Sequence, residues 1–189
     1  MPELIQNIDV VLFYVINNGW SNPVLDKIMP FVTEVDSWLM IYLFGFWFLL
    51  FKSGKQGKIT AIALILTIII TDQINSSLLK DLFGRLRPCH TLPDVNLLVG
   101  CGGGKSFPSS HAANNFAAAM VISMLVGKNK VFFFSIATLV ALSRVYVGVH
   151  YPLDITAGAL VGIILGYITA YSVNYAYTVA NDKLSKRKS

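Results

Sequence analysis

The chain has 189 residues, 54% of them hydrophobic and only 13% charged, with a mean hydropathy of +0.61. That balance excludes both an ordinary water-soluble domain and a disordered chain, and it points to a polytopic membrane protein of one domain. The formal net charge is +5, but Lys183, Lys186, Arg187 and Lys188 crowd the C-terminus, so the excess reads as a topology and anionic-lipid signal rather than a nucleic-acid surface.

In residues 1–20, Leu4, Ile5, Ile8, Val11, Leu12 and Val15 share one helical face, while Glu3, Gln6, Asn7 and Asp9 take the early polar side. The pattern predicts an amphipathic helix lying in the membrane interface. No basic residue precedes its apolar part and no small-residue cleavage site follows, so it does not read as a removable signal peptide. Residues 24–35 form a second amphipathic piece carrying Asp26, Lys27 and Glu34, either interfacial or an extension of the first span. Uninterrupted apolar runs then follow at 37–51, 59–79, 112–126, 131–146 and 153–175, each about long enough to cross hydrocarbon as a helix. The alternation expected of lipid-facing barrel strands is missing. The predicted fold is an all-α integral membrane protein, a bundle of five to six transmembrane helices with an N-terminal amphipathic segment.

Short turns at Gly54 with Gly57 and at Gly127 with Asn129 make antiparallel neighbours of the helices they join. Lys52, Lys55 and Lys58 fall on one side of the membrane with Lys128, Lys130 and the basic tail, which the positive-inside rule makes cytoplasmic. Opposite lie 84–108, too polar for lipid and too long for a plain connector, and the stretch from Arg144 to Asp154. Cys89 and Cys101 both fall in the first of these. A disulfide and two free thiols are both compatible with that placement, and His90 supplies only a third candidate zinc ligand where about four are needed.

Three polar clusters sit where apolar runs end. Asp72, Ser76 and Lys80 are spaced to share a helix face, Gly84 can end that helix, and Arg85 and Arg87 precede Pro88. Pro108-Ser109-Ser110-His111 opens the next span, with Ser as N-cap and the amides of Ser110 and His111 left without intrahelical partners. A helix start of this kind suits an anion, and His111 is placed to donate a proton beside it. Ser143-Arg144 comes near the end of the following span, and an arginine at membrane depth must face protein or a wet cavity. His150 precedes Asp154 by four residues, which lets the carboxylate hold one ring nitrogen and leave the other a better nucleophile. Taken singly, these clusters have structural explanations in snorkelling cations, a capping serine and a capping aspartate.

Together, Lys80 to Arg87-Pro88, Pro108-Ser-x-His111, and Ser143-Arg144 to His150 and Asp154 resemble the type 2 phosphatidic acid phosphatase superfamily, which also holds vanadium haloperoxidases. The match departs at Ser110, where the family usually has Gly. The resemblance implies that His150 attacks phosphorus and forms a phosphohistidine, that Asp154 orients it, and that His111 protonates the leaving oxygen and later helps activate water. It implies that Lys80, Arg87, Ser109, Ser110 and Arg144 bind the phosphate, with no metal and no cofactor.

The expected organisation is a single membrane-embedded phosphatase domain over 1–189, comprising amphipathic segments at 1–35, an active-site loop at 84–108 on the non-cytoplasmic face and a basic cytoplasmic tail at 181–189. The expected substrate is a membrane lipid phosphate: undecaprenyl pyrophosphate, a lipid A phosphate, phosphatidylglycerophosphate or phosphatidate, with the first two favoured. The expected location is the bacterial inner membrane with the site facing out. The bilayer is the expected surroundings, and neither nucleic acid nor an obligatory protein partner is expected. A carrier or scrambler that binds anions without turnover would use the cations but gives no role to a His-Asp pair facing a second histidine. A phosphatase for water-soluble esters is the remaining alternative.

Overall fold

A computed structural model describes residues 3–127 and 129–186. Lys128, Arg187 and Lys188, counted above among the cytoplasmic cations, lie outside the described residues. The elements in order are α1 (Glu3–Asn17), α2 (Leu25–Thr33), α3 (Val35–Phe51), α4 (Gly54–Gln73), α5 (Lys80–Phe83), α6 (Pro88–Thr91), α7 (Ser110–Leu125), α8 (Lys130–Tyr146) and α9 (Pro152–Lys186). The described residues contain no strand. Two helical stretches, Gly54–Thr91 and Pro152–Lys183, are long and apolar enough to cross a membrane. The pair α2 and α3, bent by 53° at Glu34, makes a third if taken as one span. The extension of the first span is therefore a broken helix.

The packing is inverted relative to a soluble protein. On α1 the apolar face points outward, with Leu4, Ile8 and Val11 more than half exposed, while Asp9, Phe13 and Asn17, four residues apart, are buried against the bundle. The outer faces of α3, α8 and α9 carry exposed Met40, Phe44, Val131 and Tyr171, whereas Thr60, Thr67, Thr71, Asn75 and Ser143 are inside. Lipid can solvate the aliphatic outer surface, so small and polar side chains share the interior with Phe13, Val121, Val145 and Tyr146.

The second apolar run departs from a plain α-helix. Between α4 and α5, Ile74–Leu79 is π-helical, and the Lys80 N–H donates to Asn75 O, five residues back. The wider turn interrupts the α-helical spacing of Asp72, Ser76 and Lys80, yet Ser76 Oγ donates to Asp72 Oδ1 at 3.3 Å and Lys80 stays within electrostatic reach of Asp72. Gly84 then ends the helix in the left-handed region at φ +60°, with its N–H on Lys80 O.

Gly158, Gly162 and Gly166 line the face of α9 that meets α7. A Cβ at Gly158 would lie 2.5 Å from Ser109 O and one at Gly166 would lie 2.6 Å from Ala117 O, and one at Gly162 would collide with Ala113 O. Backbones in this proximity need glycine at every fourth position. The contact brings the two helix starts together, and the Ser109 N–H donates to Asp154 O at 2.9 Å. At the opposite end of the bundle, Gln56 Nε2 donates to Leu125 O at 3.1 Å, tying the α3–α4 turn to the end of α7.

Replacing Gly162 by Ala sets a helix-propensity gain of about 1 kcal/mol against overpacking costs of about 1–3 kcal/mol. Because the atom met is backbone, overpacking wins. Thermal unfolding in detergent is expected to shift downward for Gly162→Ala and further for Gly162→Leu, and an unchanged midpoint in both would contradict the close approach.

Candidate active site

The long loop and the α8–α9 loop meet at the end of the bundle where α7 begins. Leu98 N–H donates to Val147 O at 3.3 Å, and Gly148, at φ +88°, leaves room that a Cβ would lose to Val95 Cγ1 at 2.7 Å. Asn17 of α1 fastens the same junction, donating to Asn96 O and Tyr146 O at 2.8 and 2.6 Å while accepting from Asn96 N–H at 2.9 Å. Cys89 and Cys101 are joined in a disulfide that closes the loop just after Arg87-Pro88. With both sulfurs so used, the group Cys89, His90 and Cys101 offers a metal no thiolate.

His150 is buried in the α8–α9 loop between two partners of fixed sense. Its Nδ1 lies 3.3 Å from Asp154 Oδ2, and its Nε2 lies 3.4 Å from Arg87 Nη1. A carboxylate can only accept and a guanidinium can only donate, so the network assigns the proton to Nδ1 and the free electron pair to Nε2. Asp154 is fully buried and engaged on every side: Oδ2 also accepts from Tyr151 N–H at 2.8 Å, and Oδ1 accepts from Arg85 Nη1 at 2.9 Å.

The cations converge on the two histidines. His111 feels Arg144, His150, Lys80 and Arg87, and Lys80 in turn feels Arg87 and Arg144, so all five groups share one electrostatic site. Nε of Arg87 and Nε of Arg144 are buried donors without a partner. Orphaned donors on two guanidiniums are what an anion site offers before its ligand arrives. Arg144 is steadied by Thr33 at the end of α2, its Nη1 donating to Thr33 Oγ1 at 2.7 Å. Arg144 and His111 also line a cavity of about 420 Å³ that includes Glu34, Asp36 and Gly100.

At the start of α7, Ser109 is the N-cap as predicted. Ala112 N–H goes to its Oγ and Ala113 N–H to its carbonyl, leaving the Ser110 and His111 amides as open donors. The side chain of Ser110, whose direction the sequence left open, turns toward the π-helical segment. Asn75 Nδ2 donates to Ser110 Oγ at 2.9 Å and to Pro108 O at 3.1 Å. The hydroxyl thus anchors the α7 start to the second apolar run, and the Ser110 amide is left as an open donor.

Sequence reasoning brought together Lys80, Arg87, Ser109, Ser110, His111, Arg144, His150 and Asp154, and missed Asp9, Arg85 and Asn75. Asp9 Oδ2 accepts from Arg85 Nη2 at 2.6 Å. Burial raises the Asp9 carboxyl above its usual range, while the Leu153 amide and Arg85 pull it back. Asp9 reads as water-facing on the polar side of an interfacial helix. Its four-residue spacing to Phe13 and Asn17 was the available signal.

A family model for the PAP2 superfamily matches residues 59–178, which include all three polar clusters. The chain belongs to the PAP2 superfamily. It is 33% identical over 183 residues to a lipid A 4'-phosphatase of Porphyromonas gingivalis, covering 92% of this chain and 76% of that one. It is 32% identical over 155 residues to the undecaprenyl-diphosphatase BcrC of Bacillus subtilis, covering 78% and 74%. The crystal structure of Aquifex aeolicus LpxE superposes with a TM-score of 0.69 at 33% identity, covering 86% of this chain and 94% of that one. This PAP2 protein is accordingly a membrane lipid phosphatase of bacterial type, a hydrolase of phosphoric esters.

Burial pushes the His150 imidazole down to about 4; Asp154 acts to raise it, while Arg87 and Arg144 lower it further. Because the folded state binds the proton less readily than the unfolded chain, His150 stays neutral from pH 7 down to about 4, and acid costs stability only as pH falls below the free-histidine value of about 6.5. Carbon-13 NMR of labelled histidine, assigned with His150→Ala, is expected to find a neutral, Nδ1-protonated ring at about pH 5.5. An imidazolium there would contradict the geometry.

Proposed function

We propose that this PAP2 phosphatase hydrolyses a phosphate monoester on a sugar-based membrane lipid of the lipid A type through a phosphohistidine at His150. The observation that carries the reading is the meeting of Lys80, Arg87 and Arg144 with two imidazoles, one of them backed by a buried carboxylate. His150 Nε2 attacks phosphorus and the bond to the lipid oxygen breaks, with His111 giving that oxygen its proton. Water then loses a proton to His111 and attacks phosphorus, the P–N bond breaks, and orthophosphate leaves with His150 restored. The three cations and the open amides of Ser110 and His111 hold the non-bridging oxygens and balance the charge spread over them in the transition state. This role asks for no divalent ion.

The lipid A class is favoured because resemblance to the Porphyromonas enzyme extends over 92% of the chain. An undecaprenyl pyrophosphate is the second reading, supported by the likeness to the Bacillus diphosphatase. In either case the headgroup reaches the site while the tails stay beside the apolar outer faces of the helices. We place α3, α4, α7, α8 and α9 as five spans, α7 and α8 being about 24 and 26 Å long at 1.5 Å per residue. α1 lies in the interface, the 84–108 loop faces away from the cytoplasm, and 181–186, which continue α9 as helix, enter the cytoplasm with the basic tail. The whole forms one domain of the inner membrane.

Purified enzyme in detergent with a chelator is expected to release phosphate steadily from a lipid A substrate, faster than from phosphatidate or a water-soluble ester. His150→Ala should lose turnover by several orders of magnitude while eluting as the folded protein does. Preference for undecaprenyl pyrophosphate in that panel would select the second reading, and full activity of His150→Ala would end the nucleophile assignment.

A further inference from the structure

Asp9 lies on α1, outside all three polar clusters, yet both its oxygens are committed to the groups that hold Asp154. Oδ2 accepts from Arg85 Nη2 at 2.6 Å, and Oδ1 accepts from the Leu153 N–H at 2.8 Å, in the first turn of α9. Arg85 gives its other terminal nitrogen to Asp154 Oδ1 at 2.9 Å and lays its guanidinium over the Tyr151 ring, 3.8 Å from the centroid. The side chain of Asp9 is 1% exposed and that of Asp154 is 0% exposed, so water screens this row of charges weakly.

Charge balance along the row matters for His150. Asp154 and Arg85 alone sum to zero, and a guanidinium on Oδ1 draws electron density from the carboxylate that must support the ring as Nε2 bonds to phosphorus. A second carboxylate on the far side of Arg85 returns the row to one net negative charge. We propose that Asp9 is a positioning residue for the phosphatase reaction, acting through Arg85 and the Leu153 amide so that Asp154 meets His150 as a full carboxylate at the right place. The amphipathic N-terminal helix is then a working part of the catalytic centre as well as a membrane contact. The inference rests on His150 being the nucleophile.

The test compares wild type, Asp9→Asn and the double variant Asp9→Asn/Arg85→Gln on one lipid phosphate monoester. Asn keeps the size and can still accept from Leu153, but it leaves Arg85 with Asp154 as its one remaining carboxylate partner, so the row falls to zero net charge. Asp9→Asn is expected to lower kcat about 10- to 100-fold, the range typical of groups that orient a reacting side chain, with little change in KM. Because extra positive charge disfavours imidazolium, the acidic limb of kcat against pH should move to lower pH. The other charged or titratable groups facing His150, namely Arg87 of the long loop, Arg144 of α8 and His111 of α7, are the same in all three proteins. The double variant removes one charge of each sign, so its limb should return toward that of the wild type.

An Asp9→Asn enzyme with unchanged kcat and an unmoved limb overturns the proposal. So does a loss of kcat with an unmoved limb, which marks a merely structural residue. If Asp9→Asn does not fold, the double variant decides: a folded enzyme with a near wild-type limb supports the charge-balance role, and failure to fold with both charges gone overturns it. Acid-quench trapping of phosphate on wild-type His150 separates the two levels. No phosphohistidine sinks the nucleophile reading itself, whereas phosphohistidine with an unmoved Asp9→Asn limb sinks only the role of Asp9.

Discussion

The buried carboxylate of Asp154 is the constraint on which the rest of the site depends. It receives the Tyr151 amide, faces His150 Nδ1, binds Arg85 and, through its own backbone carbonyl, takes the Ser109 N–H. An ionised group with no exposure is tolerated only when its lone pairs are filled, and leaving such a pair half made costs about 3–5 kcal/mol. The four contacts come from the long loop, the α8–α9 loop, α7 and, through Arg85, α1. Satisfying this one residue therefore draws the long loop, the α8–α9 loop, the start of α7 and, through Arg85, α1 together.

Close approach of α7 and α9 makes that assembly geometrically available. Gly158, Gly162 and Gly166 remove the side chains that would hold the two backbones apart, and the start of α7 comes to rest beside the start of α9. The start of α7 leaves the Ser110 and His111 N–H groups open there, whereas at the start of α9 Asp9 takes the Leu153 N–H and the Tyr151 carbonyl takes that of Asp154. The π-helical stretch at Ile74–Leu79 contributes from the other side. It presents Asn75 to Pro108 and Ser110, and so ties the second apolar run to the start of α7.

The outward apolar face of α1 and its buried Asp9, Phe13 and Asn17 follow from the same solvent logic. In lipid the aliphatic side of an amphipathic helix gains nothing by turning inward, and its polar side has nowhere else to go. Asn17 then organises the loop junction and Asp9 the ion row. A reading tuned to soluble proteins puts the wrong face of this helix against the core.

By itself the amino-acid sequence determined the membrane class and the all-helical architecture and singled out eight candidate site residues, because long apolar runs and residue spacings along one helix are local properties. It also placed Ser109 as a cap and Gly84 as a stop, each a matter of a single turn. The tertiary structure alone decided that Asp9 and Arg85 stand behind Asp154, that Ser110 points at Asn75, that Cys89 and Cys101 are joined, and that the second apolar run turns π-helical over Ile74–Leu79. Each of these depends on contacts between segments far apart in the chain, or on one inserted helical residue whose rotation only the packed neighbours select.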